Sequence, residues 1–164
     1  MPLSGGGRMK TIPLLQAKFD EFTNRLRYLE TEGRTEISEA IRLAKEFGDL
    51  SENAEYTAAK NAQEKMEIEI ARLTEILSKA YPLDTSMLGT KEVALGNIVK
   101  LYDEEFEEEV TYQLVSSIEA NSSEGKISDE SPIGKALIGK KAGEKVRVKT
   151  PNGEIILKIL EISK

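Results

Sequence analysis

Two carboxylates three residues apart, Asp49 and Glu52, are the side chains of this sequence whose type and spacing best suit chemistry. Mg²⁺ prefers hard oxygen ligands in octahedral geometry and usually keeps several of its waters. A pair of carboxylates on one turn can supply part of that shell, so a partner would have to complete a metal site. The same spacing suits helix capping, with Asp49 as the N-cap and Glu52 at the third helical position. Spacing alone favours capping, and the two roles are compatible if one oxygen caps while another faces the metal.

Two lysines flank this pair in the sequence, Lys45 before it and Lys60 after it. Isolated lysines on a helical surface are usually solvated, although as point charges they can also contact a phosphate backbone. Tyr56 lies between them, and an exposed tyrosine can stack on a nucleic-acid base. Its position on an apolar helical seam favours packing between helices instead.

The composition excludes several classes of site. The 164 residues include no Cys and no His, which removes disulfides, thiolate metal sites and the commonest general base. A net charge of −6 gives no general attraction to DNA or RNA, so we expect no strong independent nucleic-acid binding. No apolar run is long enough to span a membrane and no secretory signal is present, so we expect a cytoplasmic protein. The acidic run at 102–109 is expected to be a solvated loop rather than a metal site.

The elements that position the acidic pair are two predicted helices between about Leu14 and Ser78. Their apolar residues recur at alternating steps of four and three, the pattern of a coiled-coil seam. Gly33 falls on the seam and predicts a local kink, because glycine destabilises a helix. The predicted seam residues are Leu15, Phe19, Phe22, Leu26, Leu29, Ala40, Ala44 and Phe47, followed by Tyr56, Ala59, Gln63, Met66, Ile70, Leu73 and Leu77.

The segment that joins the two helices is short, at residues 47–51. Gly48 suits a left-handed position after the first helix, and Asp49 or Ser51 suits the N-cap of the second. Such a short connection makes the helices antiparallel neighbours. With roughly 30 residues in each arm, the hairpin is expected to be about 45 Å long.

Beyond the hairpin the pattern changes to a period of two with β-branched residues, which indicates strands. Ser131 and Pro132 suit the N-cap and the first position of a short helix that reaches Ile138. A turn at residues 151–153 is expected to join the last two strands. The predicted strands cover residues 93–101, 110–118, 144–150 and 154–162.

The predicted fold class is therefore α+β, with an N-terminal antiparallel coiled-coil hairpin and a small β-rich C-terminal domain. Met9 is the expected native start, because the glycine-rich residues before it are typical of an expression scar and are expected to be disordered. The predicted limits are 1–8 for this scar, 9–80 for the hairpin, 81–92 for a linker and 93–164 for the C-terminal domain.

Three segments of the chain closely resemble signatures of the Gre family of transcript cleavage factors. The first runs from Gly48 to Tyr56 as Gly-Asp-Leu-Ser-Glu-Asn-Ala-Glu-Tyr and continues with Ala-Ala-Lys at 58–60. The second covers residues 127–140 and the third covers residues 148–153. All three occur in the order and at the spacing of the family, and the resemblance extends over essentially all of 9–164.

The resemblance implies a function in transcription. In the Gre family the coiled coil enters the secondary channel of bacterial RNA polymerase, and an FKBP-like C-terminal domain docks at the rim of that channel. The acids of the family's tip map onto Asp49 and Glu52. They are expected to help hold a second catalytic Mg²⁺ beside the polymerase's own aspartates, so that the polymerase hydrolyses its backtracked RNA near the 3′ end. The factor would supply ligands without independent catalysis.

The resemblance also maps the family's RNA-contacting basic patch onto Lys45 and Lys60. The patch is sparse, and lysine replaces the frequent arginine, which favours GreA-type behaviour with short cleaved fragments over the GreB type. Thr57 stands where the family commonly has histidine, so any role of that histidine is absent. The free protein is expected to be a monomer that carries no bound Mg²⁺.

Three alternatives remain at this stage. A Gre-like inhibitor would occupy the same channel and block the polymerase, but such homologues carry an altered, more acidic tip. The C-terminal domain could be a prolyl isomerase or chaperone by analogy of fold alone, although aromatic residues, at 5%, are too few for the apolar proline pocket. A coiled-coil adaptor without chemistry would leave the acidic pair without a purpose.

Overall fold

The computed structural model describes residues 9–48 and 53–164, and the chain divides into two units. Apart from its first residues, which end at Thr11, the first unit consists of Phe19–Ala80. The second unit contains Ile12–Lys18 and Tyr81–Lys164. Ile12–Lys18 belongs to the second unit because its strand pairs with a strand that follows the hairpin.

The first unit is a hairpin of helices, as the sequence predicts. Its first arm consists of α1 (Gln16–Tyr28), a π-helical turn (Leu29–Gly33) and α2 (Arg34–Lys45). Its second arm is the single helix α3 (Ala54–Lys79). Each arm is amphipathic, so each buries its apolar stripe against the other. The buried side chains are Phe22, Leu29 and Ala44 in the first arm and Ala59, Ile70, Leu73 and Ile76 in the second.

The seam differs from its prediction at Ala40 and Phe47, which are both exposed. Beyond the π-helical turn the inward positions are Ile37, Ile41 and Ala44. A π turn has more residues per turn than an α-helix, so the next inward position comes later in the chain. Phe47 lies beyond the end of α2, and its side chain is 69% exposed.

Gly33 is the residue at which a kink was predicted, and it ends the π-helical turn. It is buried, and a Cβ atom there would lie 3.2 Å from the sulfur of Met66 in α3. The two arms therefore approach each other closely at this position.

The strands are β1 (Ile12–Leu15), β2 (Ala80–Leu83), β3 (Ile98–Asp103), β4 (Glu108–Val115), β5 (Lys126–Ser128), β6 (Lys145–Thr150) and β7 (Gly153–Ser163). The second unit contains a five-stranded sheet with the strand order β5-β4-β3-β7-β6 and a separate two-stranded sheet, β1-β2. Neighbours in the large sheet are antiparallel except β4 and β5. Its core lies between the sheet and the helix α4 (Pro132–Leu137), and it includes Leu137.

Two local predictions in this unit are confirmed. Ser131 is the N-cap of α4 and accepts a hydrogen bond from the N–H of Gly134, with Pro132 at the start of the helix. The turn between β6 and β7 brings Gly153 to a φ of +123°. Glycine adopts this backbone conformation without the steric cost that a Cβ would add.

Three local predictions differ from the structure. The first helix begins at Gln16 rather than near Leu14, because the residues before it form β1. The predicted linker at 81–92 contains most of β2 and a 3₁₀ turn at Thr85–Met87. The first strand of the large sheet begins at Ile98 rather than at 93.

The delayed start of β3 is explained by Asn97, which is fully buried. Its side-chain oxygen accepts from the N–H of Ala94 at 2.8 Å, and its amide donates to the carbonyls of Gly89 and Ser163 at 3.1 and 2.9 Å. These bonds hold the preceding residues in a turn, so the chain pairs as a strand only after Asn97.

Glu119 is the other buried polar residue of this unit, and one of its carboxylate oxygens accepts from the N–H of Leu15 at 2.6 Å. This bond attaches the end of β1 to the loop after β4.

Among the described residues, none of the helices is both long and apolar enough to cross a membrane.

Candidate functional site

The site predicted from the sequence falls in the connection between α2 and α3. Asp49 and Glu52 lie outside the described residues, together with the two residues between them. Lys45 is the last residue of α2, and Lys60 lies in the second turn of α3. Both lysines are exposed, and the Nζ of Lys60 donates to Gln63 at 3.1 Å. The structure therefore places both lysines on the arms that lead to the acidic pair.

Tyr56 lies in the first turn of α3 and is half-buried. This agrees with its predicted packing on the seam better than with a fully exposed stacking platform. Its backbone N–H donates to the side-chain oxygen of Asn53 at 3.0 Å.

The end of α2 is a tight turn. The N–H groups of Glu46, Phe47 and Gly48 donate to carbonyls three residues earlier, at 3.1, 3.1 and 3.4 Å. Such bonds satisfy carbonyl groups that the end of a helix would otherwise leave without partners. Gly48 has a φ of +104°, which confirms the prediction of a left-handed glycine after the first helix.

The start of α3 corrects the predicted cap. The N-cap is Asn53 rather than Asp49 or Ser51, because the helix begins at Ala54 and Asn53 accepts from the N–H of Tyr56. A capping box with Glu52 at the third helical position is therefore wrong for this helix. The two carboxylates precede the first helical residue.

Asn53 has a second bond that the sequence does not reveal. Its amide nitrogen donates to the carbonyl oxygen of Ala44, nine residues earlier and in the last turn of α2. One side chain thus joins the end of the first arm to the start of the second. We name this pair of bonds, from Asn53 to Ala44 and to Tyr56, the Asn53 bridge.

Two small residues, one on each helix, are buried near the Asn53 bridge. Ala44 and Ala59 are both buried, with 4% and 9% of their surfaces exposed. Alanine has little side-chain volume, so the two helices can approach closely here. An open groove of about 660 Å³ lies beside them, and its lining includes Leu43 and Phe47.

Two ion pairs join the arms farther from the turn. Arg25 contacts both carboxylate oxygens of Glu69 at 2.9 and 3.1 Å. Arg34 contacts both oxygens of Glu67 at 3.0 and 2.9 Å. The hydrogen bond from the partner arginine lowers the pKa of each carboxyl below its ordinary value.

These shifts predict that the hairpin loses stability in acid. A carboxyl with a lowered pKa in the folded state stabilises the fold above its unfolded pKa, and this contribution disappears as pH falls through the folded pKa. We expect the double variant Glu67→Gln and Glu69→Gln to have a slightly lower thermal midpoint than wild type at pH 7. The difference should shrink as the pH is lowered from 5 to 3. Because all four side chains are substantially exposed, high salt should also reduce it.

Thermal unfolding followed by circular dichroism across this pH range tests the prediction. The matched control is Glu64→Gln, which removes a carboxylate from an exposed position on the same helix. If the difference between the double variant and wild type does not change with pH, the ion pairs do not stabilise the hairpin.

The acidic run at 102–109 contains the predicted loop at residues 104–107, and its two ends belong to the flanking strands. β3 ends at Asp103 and β4 begins at Glu108, and residues 105–109 are exposed. Within 9–48 and 53–164, acidic side chains nowhere form a group of three or more that could hold a metal ion. The connection between the helices therefore remains the candidate site.

Two family models match the chain. One, described as the N-terminal part of a transcription elongation factor, covers residues 12–81, and the other, described as the C-terminal part of transcription elongation factor GreA/GreB, covers residues 88–164. The chain is also similar to GreA proteins along nearly its whole length. The chain belongs to the GreA/GreB family of transcription elongation factors.

Two relatives named GreA support this assignment, and a solved structure is also similar to the chain. The transcription elongation factor GreA of Thermoanaerobacter pseudethanolicus is 48% identical over 155 residues, which are 94% of this chain and 99% of the relative. GreA of Clostridioides difficile is 45% identical over 153 residues, which are 93% of this chain and 96% of the relative. A crystal structure of GreA factor homolog 1 from Thermus thermophilus is 30% identical, covers 96% of this chain and 100% of its own, and superposes with a TM-score of 0.42.

This membership confirms the resemblance identified from the sequence. The chain is a GreA-type member of the Gre family and acts as a transcription elongation factor. The Gre-like inhibitor considered above is not favoured, because proteins named GreA are 45–48% identical to this chain over 93–94% of its length.

Proposed function

We propose that this protein binds bacterial RNA polymerase, inserts its helical hairpin into the secondary channel, and stimulates the polymerase to cleave its own backtracked RNA. The new RNA 3′ end would lie in register with the active site, so an arrested complex could resume synthesis. The protein has no catalysis of its own in this proposal. Bond cleavage belongs to the polymerase, and the hairpin delivers side chains to it.

The observation that carries the proposal is the position of Asp49 and Glu52 between α2 and α3. Both ends of their connection are described, and the Asn53 bridge holds these ends together. A hairpin turn is the part of a helical pair that can enter a narrow channel first. Membership of the Gre family supports the choice of polymerase as the partner.

The side chains available in the connection between α2 and α3 suit Mg²⁺. Asp49 and Glu52 offer hard carboxylate oxygens, and the chain contains no Cys or His that would favour a softer metal. Two side chains cannot fill an octahedral shell, so the ion would be shared with aspartates of the polymerase. Bound there, Mg²⁺ would supply Lewis-acid activation of a water and stabilisation of the leaving oxygen.

The roles of Lys45 and Lys60 in the proposal are contacts to the phosphates of the extruded RNA 3′ end. Both side chains are exposed and neither has a resolved ion pair among the described residues. Two lysines give a weak attraction, which agrees with a protein of net charge −6 that reaches RNA only inside the polymerase complex. The free protein is a monomer in this proposal.

Cleavage of a defined backtracked complex tests the proposal. Bacterial RNA polymerase is stalled and backtracked on a template with end-labelled RNA, and cleavage is followed with and without this protein. We expect cleavage at least about tenfold faster with the protein, equivalent to about 1.4 kcal/mol of barrier. The protein should not cleave the same RNA without polymerase. Slower cleavage or slower nucleotide addition would instead establish an inhibitor.

A further inference from the structure

Basic residues are concentrated in one stretch of the second unit. Residues 135–149 contain six of the chain's 23 basic residues and one acidic residue, Glu144. This stretch therefore carries a charge of +5 in a chain whose net charge is −6. Its basic residues, which we name the basic edge, are Lys135, Lys140, Lys141, Lys145, Arg147 and Lys149.

The fold brings the basic edge to one side of the large sheet. β6 is the last strand in the sheet order, so among the described residues one of its sides has no neighbouring strand. α4 packs against β6, because Leu137 belongs to the same buried core as Val146 and Val148. In the turn between α4 and β6, the N–H of Lys141 donates to the Oε2 of Glu144 at 2.6 Å. The one carboxylate of the stretch is therefore engaged by the backbone.

The six basic side chains of this edge are all exposed. Lys145 pairs with Glu104 at 2.8 Å, and Arg147 pairs with Glu154 at 3.2 Å. The other four carry no ion pair among the described residues. Along β6 the basic residues alternate with buried valines, so they point away from the core at intervals of about 6.7 Å.

Protection of the sheet edge explains only part of this arrangement. Lysines on an edge strand commonly prevent a second chain from pairing with it. That role accounts for the basic residues of β6, but Lys135, Lys140 and Lys141 precede this strand. Like charges that are held close together repel one another, so the whole edge favours a partner with negative charge.

The composition of the basic edge favours nucleic acid over an acidic protein surface. Five of its six residues are lysine, which is depleted in protein–protein interfaces but binds phosphates as a point charge. Single-stranded nucleic acid is usually bound by stacking its bases on aromatic side chains, and residues 131–164 contain no aromatic residue. Duplex DNA presents phosphates at its surface and keeps its bases stacked, so charges alone can bind it.

We infer that the basic edge binds the phosphate backbone of duplex DNA without sequence preference. This inference goes beyond the proposed function and does not depend on the connection between α2 and α3. The binding is weak, with a Kd of about 10⁻⁴–10⁻⁶ M at physiological salt, as is typical of backbone contacts alone. Acidic groups farther away than about 8 Å are largely screened at this salt concentration. Because polymerase and DNA occur together in a transcribing complex, the contact adds to the binding of polymerase.

Fluorescence anisotropy of a labelled duplex of about 20 base pairs, titrated with the full chain, tests the inference. The logarithm of the binding constant should fall linearly with the logarithm of the salt concentration, with a slope of about −4 for four or five phosphate contacts. The triple variant Lys140→Gln, Lys141→Gln and Lys149→Gln removes three charges that have no ion pair. It should bind at least about tenfold more weakly at 0.1 M salt, and its slope should be shallower by about 3.

The matched control is the triple variant Lys10→Gln, Lys65→Gln and Lys164→Gln. It removes the same number of charges from exposed positions outside the basic edge. We expect it to bind the duplex within about threefold of wild type. If both triple variants weaken binding equally, only the net charge of the chain matters and the inference is wrong.

NMR of the unsubstituted protein provides a readout that does not depend on the folding of any variant. Addition of the duplex should shift the amide signals of residues 135–149 more than those of β5, which lies at the opposite edge of the sheet. Shifts centred elsewhere, or none at about 1 mM duplex, would overturn the inference, because that concentration exceeds the expected Kd.

Two further measurements identify the class of partner. Single-stranded RNA of the same length should bind more weakly than the duplex, and tighter binding of the RNA would contradict a preference for duplex DNA. RNA polymerase without nucleic acid should bind the Lys140, Lys141 and Lys149 triple variant within about threefold of wild type. A loss of about tenfold or more there would identify an acidic surface of polymerase as the partner instead.

Discussion

Replacing Asp49 with asparagine, or Glu52 with glutamine, is expected to reduce stimulated cleavage about 100-fold, which corresponds to about 2.7 kcal/mol of barrier. Each substitution keeps the size of the side chain and removes the charge that a divalent cation needs. Metal-ion catalysis supplies several kcal/mol of charge stabilisation in a transition state, so one lost ligand has an effect of this size. Cleavage of a backtracked complex at saturating protein measures it.

The amide variants also distinguish metal binding from simple hydrogen bonding. Asparagine keeps an acceptor oxygen, so Asp49→Asn would be nearly silent if the side chain served only as a hydrogen-bond acceptor. The matched control is Glu55→Gln, which removes an exposed carboxylate from the first turn of α3. We expect that control to cleave at the wild-type rate.

Binding to polymerase should survive both tip substitutions. Competition between each variant and the wild-type protein for the elongation complex measures this binding. We expect inhibition constants within about threefold of the wild-type value, because neither charge is needed for the C-terminal unit to bind. Loss of binding together with cleavage would show that the acids serve attachment rather than catalysis.

The largest expected effect on stability comes from Gly134→Ala in α4. A Cβ atom there would overlap the carbonyl oxygen of Ser128 and lie 3.0 Å from the Cα of Asp129. That carbonyl cannot move easily, because it accepts two hydrogen bonds from Ser131, one from the backbone N–H at 3.1 Å and one from the hydroxyl at 2.6 Å. We expect a loss of about 3 kcal/mol or more in the free energy of unfolding.

The matched control is the same substitution at Gly89, where a Cβ atom would meet no other atom within 4 Å. Gly→Ala at an unstrained position usually stabilises a protein by about 0.4–1 kcal/mol, because it restricts the unfolded chain. Urea unfolding of both variants, followed by fluorescence of the tyrosines, measures the contrast. Similar midpoints for the two variants would show that the contact at Gly134 relaxes at little cost.

The sequence predicts the hairpin well because its signal is long and periodic. The seam from Phe22 to Leu29 and from Ala59 to Leu73 follows helical spacing over many turns, and its positions are buried or half-buried. The cap of the second helix was harder to predict. The sequence predicted Asp49 or Ser51 as the N-cap, and the observed bond from Tyr56 identifies Asn53 instead.

The elements that the sequence did not predict are short and depend on distant partners. β1 and β2 have four residues each, and they pair although the whole hairpin separates them in the sequence. Neither strand is therefore long enough to show a recognisable alternation of apolar and polar residues. β5 has three residues, and its parallel pairing with β4 follows from the fold of the whole unit. The bond from Asn53 to Ala44 joins residues nine apart through a side chain, and no spacing rule predicts such a contact.

Within the candidate site, the family signatures in the sequence predicted the acidic pair. They did not predict the hydrogen bonds at the two ends of the connection that contains it. Asp49 and Glu52 were identified because nine consecutive residues match the Gre tip, whereas an isolated pair with this spacing is common. The RNA contacts of Lys45 and Lys60 stay predictions from the family's basic patch, and both side chains are exposed.

The π-helical turn at Leu29–Gly33 has a consequence for how chains of different length can share this hairpin. Each hydrogen-bonded ring of a π turn encloses one residue more than an α turn does. A homologous chain with one residue fewer at this point can run as a continuous α-helix and still direct α2 toward α3. The same deletion inside α2 would rotate every following side chain by about 100° and misalign the tip. The π turn is thus a place where evolution can add or remove a residue while the two arms stay in register.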